Sequence, residues 1–188
     1  METKVKTNSL VIVGNIHNPS VIGEKFLIDS EILKDIDELK KDSILITPQF
    51  SQIVFEDETS IQIDQSRLAI SSVHSNRPYV IGKKYCESFK YVTGTAIGIN
   101  FDIELTGYDF DKWFKKIEPN GEFKCFESKL RYENCNITIK RANDQNVAQL
   151  NFNFHYDING EIGDLDIDFE EEWKNNYAYV QKLISKIF

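Results

Sequence analysis

The densest set of oxygen ligands in the chain is Asp157, Asn159, Glu161, Asp164, Asp166 and Asp168. Carboxylates and amides at alternate positions are the oxygen ligands that calcium takes. An EF-type loop needs oxygens at positions 1, 3 and 5, glycine at 6 and glutamate at 12. Counted from Asp157, glycine falls at positions 4 and 7, and position 12 is Asp168. Counted from Asp164, position 6 is Phe169 and position 12 is Asn175. Both registers fail, and a structural reading takes their place. Asn159-Gly160 reads as a turn. Leu165, Ile167 and Phe169 alternate with Asp164, Asp166 and Asp168, as on a strand with a solvated acidic face. Asp168 with Glu171 forms a capping-box pattern, and Glu170 to Glu172 fall where a helix dipole favours negative charge. No metal ligand and no cofactor are expected.

Nucleophilic chemistry has little to work with. The sequence holds no Gly-x-Ser-x-Gly elbow. Its histidines are His17 and His74, in expected loops, and His155, on an expected strand. Cys86, Cys125 and Cys135 are widely spaced, with no Cys-x-x-Cys, and no His-x-x-x-His occurs, so zinc ligation has no pattern to rest on. Gly94-Thr-Ala-Ile-Gly98 lacks the lysine of a phosphate loop and enters a strand. The most suggestive constellation is the polar side of the strand at 147–158: Gln149, Asn151, Asn153 and His155. Amides and an imidazole at every second position share one face of a strand, where they can line a partner- or ligand-binding surface.

Composition bounds the rest. The chain has 188 residues, 41% hydrophobic and 28% charged, with thirteen Phe and eight Tyr to fill a core. Its net charge is −8. Residues 1–94 hold 13 acidic and 11 basic side chains, and residues 95–188 hold 17 and 11, so the second half carries most of the excess. An acidic chain repels phosphate backbones, and nucleic acid is not an expected partner. Three cysteines, an odd number, read as reduced thiols in a cytoplasmic protein. The run Leu10-Val11-Ile12-Val13 is too short for a signal or a membrane span.

The elements that must position these groups follow from periodicity. Leu10–Val13 reads as a buried strand. Ile32, Leu33, Ile36 and Leu39 predict a helix from Asp29 or Ser30 to Lys41. Residues 44–55 read as one extended segment bearing Pro48. Ile61 and Ile63, then Leu68 and Ile70, predict a hairpin. Pro78 opens a helix with Val80, Ile81, Tyr85, Phe89 and Val92 on one side, ended by Gly94. Alternation from Ile97 to Leu105 is a strand. Phe110, Trp113, Phe114 and Ile117 give a short helix, closed by Pro119-Asn120-Gly121. Strands at 123–132, 135–141 and 147–158 follow. Phe169, Trp173, Tyr177, Val180, Ile184 and Ile187 define a long final helix.

Ile61-Gln-Ile-Asp-Gln-Ser-Arg67-Leu68-Ala-Ile70, the Gly98-Ile-Asn-Phe101 strand and the closing Leu165-Asp-Ile-Asp168 before a long helix resemble a sporadically distributed bacterial family of uncharacterised proteins. That family usually has an arginine-rich version of the Gly98 strand, where this chain has Ile99-Asn100. The resemblance implies a fold more than a function. By architecture the element order is similar to helix-grip and TATA-binding-protein-like folds, in which a curved antiparallel sheet packs on long helices.

The fold class expected is therefore α+β. One domain spans residues 1–188, as a mostly antiparallel sheet of about seven or eight strands with helices on one face. The order suggests two β-α-β-β-α type halves, 1–94 and 95–188. The function expected is that of a non-enzymatic, cytoplasmic interaction module of bacterial or phage-related origin. It would bind a protein partner, or self-associate, through a sheet face or edge, with no nucleic acid and no membrane involved. One alternative is a carrier for a small-molecule ligand, held in an aromatic cavity between sheet and helices. The other is a hydrolase-like enzyme using His155 with Asp157 or a nearby carboxylate.

Overall fold

Alternation builds the centre of the molecule. In β6 (Thr93–Thr106), Ile97, Ile99, Phe101, Ile103 and Leu105 are each at most 2% exposed, while Asp102 on the other side is open to solvent. The computed structural model describes residues 1–15, 17–73, 76–117, 125–142 and 147–188. The remaining strands are β1 (Glu2–Asn15), β2 (Leu39–Ile46), β3 (Phe50–Phe55), β4 (Ser60–Asp64), β5 (Arg67–Ser72), β7 (Cys125–Tyr132), β8 (Cys135–Ala142) and β9 (Val147–Glu161). They form one sheet in the order β2-β3-β4-β5-β1-β6-β9-β8-β7. Every neighbouring pair is antiparallel.

β1 and β6 lie side by side at the middle. Each is followed by a helix and then by a run of strands that works back from an outer edge to flank it. The helices are α1 (Glu24–Asp29), α2 (Arg77–Ser88), α3 (Phe110–Ile117) and α4 (Phe169–Ile187). α2 lies so close to β1 that a Cβ on Gly82 would fall 2.1 Å from Leu10 Cδ2, so only glycine allows this approach without moving a fully buried leucine. α4 meets the sheet through Tyr177 against Phe101 and Tyr179 against Phe154, with ring centroids 5.8 and 6.2 Å apart. Tyr79 of α2 meets Trp173 of α4 at 6.0 Å. At the far end of α4, Phe188 packs on Tyr108 and Phe110. Among the described residues no helix is long and apolar enough to cross a membrane.

Among the described residues the sheet has nine strands, one or two more than expected. Residues 44–55 are two strands, because Thr47 turns the chain: its N–H donates to Phe50 O at 3.0 Å, and its hydroxyl accepts from Phe50 N–H. The helix expected to run to Lys41 does not form. α1 stops at Asp29, and Glu31 sits in the left-handed region at φ 55°. Asp35 then caps a single 3-10 turn, Ile36–Glu38, with a reciprocal bond from Glu38. Local capping by acidic side chains outcompetes the apolar periodicity there. α2 ends at Ser88, before Gly94, which lies inside β6, and Val80 is 40% exposed instead of joining the apolar side.

Asn159-Gly160 is not a turn either. Gly160 pairs with Gly94 inside the β6–β9 ladder, and a Cβ on Gly94 would meet Ile158 Cδ1 at 2.5 Å. Leu165 and Ile167 form no strand. They cross from a 3-10 turn (Ile162–Asp164) to α4, partly buried against the core. Asp168 does cap α4, accepting from the N–H groups of Glu170 and Glu171 at 3.0 and 3.1 Å. Pro119-Asn120-Gly121, His74 and the first two residues of the strand expected at 123–132 lie outside the described residues.

Candidate functional site: a polar row across the sheet

The alternation of β9 buries Ala148, Leu150, Phe152 and Phe154 and turns Gln149, Asn151, Asn153 and His155 to the opposite face. Antiparallel register then gives Asn153 its neighbours. It stands opposite Asn100 of β6 and Asn136 of β8. Asn100 stands opposite Ser9 of β1, Ser9 opposite Ser71 of β5, and Ser71 opposite Ser60 of β4. Six strands thus contribute one side chain each to a single row: Ser60, Ser71, Ser9, Asn100, Asn153, Asn136. At the usual strand spacing the row spans roughly 24 Å.

Five of the six members are hydrogen-bonded within the row. The hydroxyls of Ser60 and Ser71 are 2.8 Å apart. Asn100 Nδ2 donates to Ser9 Oγ at 3.2 Å, and Asn153 Nδ2 donates to Asn100 Oδ1. One rung along, Asn151 Nδ2 donates to Asp102 Oδ1 at 2.7 Å. A shallow groove of about 300 Å³ opens there, lined by Asp102, Thr138, Lys140, Gln149 and Asn151. Lys6 bonds Glu104 at 3.4 Å, and Glu127 reaches Lys140 at 3.7 Å, so both signs of charge border the face.

Gln149, Asn151 and Asn153 therefore belong to this surface together. His155 stands one rung beyond the row, opposite Gly98, with Nε2 3.0 Å from Asp157 Oδ1. Both side chains of that pair are exposed, at 51% and 86%. Ser9, Ser60, Ser71, Asn100 and Asn136 were not singled out from the sequence. Each is an unremarkable polar residue in its own strand, and only the register assembles them.

The opposite face of the central strands carries a smaller feature. Val5, Asn8, Val73, Phe101, Trp173 and Tyr177 line a cavity of about 130 Å³. Pockets for drug-sized ligands begin near roughly 300 Å³. Beside it, Tyr156 ties β9 to α4: its hydroxyl donates to Glu172 Oε2 at 3.1 Å and accepts from Asn176 Nδ2 at 2.7 Å. Burial pushes this phenol up to about 12.

His17, expected in a loop, is 2% exposed, and its Nδ1 lies 2.7 Å from the Tyr85 hydroxyl. Burial lowers the proton affinity of the ring, with Asp64 opposing more weakly. Cys86 and Cys135 are buried free thiols, each pushed up to about 12 by burial, which makes them inert packing groups. Among the described residues no group of three or more His, Cys, Asp or Glu side chains is arranged to hold a metal ion. Asp157, Glu161, Asp164 and Asp166 all point to solvent.

The sequence matches no protein-family model and none of the curated proteins with which it was compared.

Proposed function

We propose that this chain is a non-catalytic binding module that receives a protein partner on the open polar face of its sheet. The observation that carries the reading is the row from Ser60 to Asn136. Five of its six side chains are tied by hydrogen bonds, Ser60 to Ser71 and Ser9 to Asn100 to Asn153, so these five have little conformational freedom left to lose on binding. Uncharged amides and hydroxyls match the neutral donors and acceptors of another polypeptide. The bordering charges are of both signs, which suits a protein surface better than a polyanion. The packing of α2 on Leu10 and of α4 on Phe101 and Phe154 supports helices on one face, leaving the other free.

The two-half reading, 1–94 and 95–188, draws support from the same row. Its three serines come from the first half and its three asparagines from the second, meeting at the β1–β6 boundary. The strand–helix–strands–helix order supports the architectural analogy with TATA-binding-protein-like folds, an analogy that carries no function.

The test places a photo-crosslinking residue at Gln149, on the face, and in a second protein at Val80, exposed on α2. Both are irradiated in cells of the native host. Protein adducts at 149 that are absent at 80, and that vanish when Asn100→Ala and Asn153→Ala are added, support the reading. Equal adducts at both positions, or adducts unmoved by the two alanines in a protein of unchanged melting temperature, defeat it.

A further inference from the structure

Two strands end the sheet, and they are built differently. β2 is blunted. Its register with β3 jumps between Leu39 and Ile44, Asp42 sits at φ 57°, and Ser43 Oγ donates to Val54 O at 2.7 Å and lies close to Lys40 O. A bulge of this kind twists an edge away from further pairing. β7 carries no such device. It pairs with β8 from Cys125 to Tyr132 without a register break, it contains no proline, and among the described residues no other strand joins it. Its outer side is a row of backbone donors and acceptors, the template onto which another strand adds.

We infer that β7 pairs antiparallel with β7 of a second copy of this chain, about a two-fold axis at Ser128. A two-fold axis normal to the sheet keeps both copies the same way up and requires one residue to face its own copy across it. With Ser128 on the axis, Glu127 stands opposite the partner's Lys129, and Lys129 opposite the partner's Glu127. Moving the axis to Lys129 sets lysine against lysine between two Glu127–Arg131 contacts, and moving it to Glu127 sets glutamate against glutamate, so Ser128 is the register that faces opposite charges with no like-charge contact. Opposite charges facing across strands stabilise a pair and like charges destabilise it, so the charge pattern selects the Ser128 register. Lys129, which on a lone edge would discourage pairing, becomes a specificity element. Lys140, 3.7 Å from Glu127, extends the network on each side. The polar row is untouched, since β7 lies outside the strands that contribute to it.

Sedimentation velocity over a dilution series tests this. The wild-type chain is expected to form a dimer. Glu127→Lys and Lys129→Glu each turn both reciprocal contacts repulsive, and should weaken dimerisation by roughly tenfold or more. Both side chains are at least half exposed, so neither change threatens the fold. An equimolar mixture of the two variants should associate again, because every reversed charge then meets its opposite. A wild-type chain that stays monomeric throughout overturns the inference. So does a dimer indifferent to the reversals, or a mixture that fails to associate.

Discussion

Tyr85→Phe removes one oxygen from the interior and leaves everything around it in place. Tyr85 is 1% exposed and His17 is 2% exposed. The hydroxyl is 2.7 Å from Nδ1 of the imidazole, while Nε2 is buried with no hydrogen-bond partner among the described residues. Among the described residues the phenol is thus the single side-chain hydrogen-bond partner of the ring. A phenylalanine keeps the ring contact with Phe89, 4.8 Å away between centroids, so packing is conserved and the hydrogen bond alone is lost. Stranding a buried polar group costs about 1–3 kcal/mol. For a chain of this size each kcal/mol lowers the melting temperature by about 2–4 °C, so a fall of about 2–12 °C is expected. Urea denaturation followed by circular dichroism gives the free energy directly. Repeating Tyr85→Phe in a His17→Leu background closes a double-mutant cycle, in which the second cost should be smaller. A variant within about 0.3 kcal/mol of wild type, or the same cost in both backgrounds, refutes the reasoning.

Acid should destabilise the fold in two stages. His17 is held neutral by burial, so its contribution is complete above its ordinary value of 6.5 and is lost as pH falls below it, where only the unfolded chain takes up the proton. Asp57 and Asp64 follow at lower pH. Burial alone would raise both, but hydrogen bonds outweigh it, from Thr59 and Arg77 for Asp57 and from Ser66 and Arg67 for Asp64. Both therefore lie below 3.8, and their stabilisation is lost as pH drops through that region. Melting curves from neutral to acid pH check this, and His17→Leu should erase the first stage while sparing the second. Asp168→Ala should cost about 0.5–2 kcal/mol by removing the cap of α4. Hydrogen exchange at the Glu170 and Glu171 amides should rise, with the middle of the helix unchanged.

The sequence announces those elements whose own residues decide them. β6 alternates from Ile97 to Leu105 and β9 from Ala148 to Ile158 in sequence, and the apolar stripe from Phe169 to Ile187 runs the length of α4. Failures occur where a neighbour decides. Gly160 reads as a turn in isolation, yet Gly94 across the ladder accepts it as strand. Ile32 to Leu39 carries helical spacing, yet Asp35 and Glu38 bond the backbone into a tighter turn. The site is split in the same way. Asn151 and Asn153 stand out as polar residues within an apolar alternation. Ser9, Ser71 and Asn136 do not, because their importance arises from pairing between segments up to ninety-one residues apart, as for Ser9 and Asn100.

That pairing also bears on how the chain can be made. β1 is synthesised before either of its neighbours, and β5 begins only at Arg67, β6 only at Thr93. Until then Leu10 and Ile12, both fully buried in the finished molecule, have no strand to join. A ribosome adding roughly 5–20 residues per second leaves this apolar segment uncovered for several seconds. Folding dominated by such distant closures is slow and exposes sticky intermediates. The yield of native protein in the cell should therefore depend on whatever shields the first strand during that interval, and on the pace of translation through the next eighty residues.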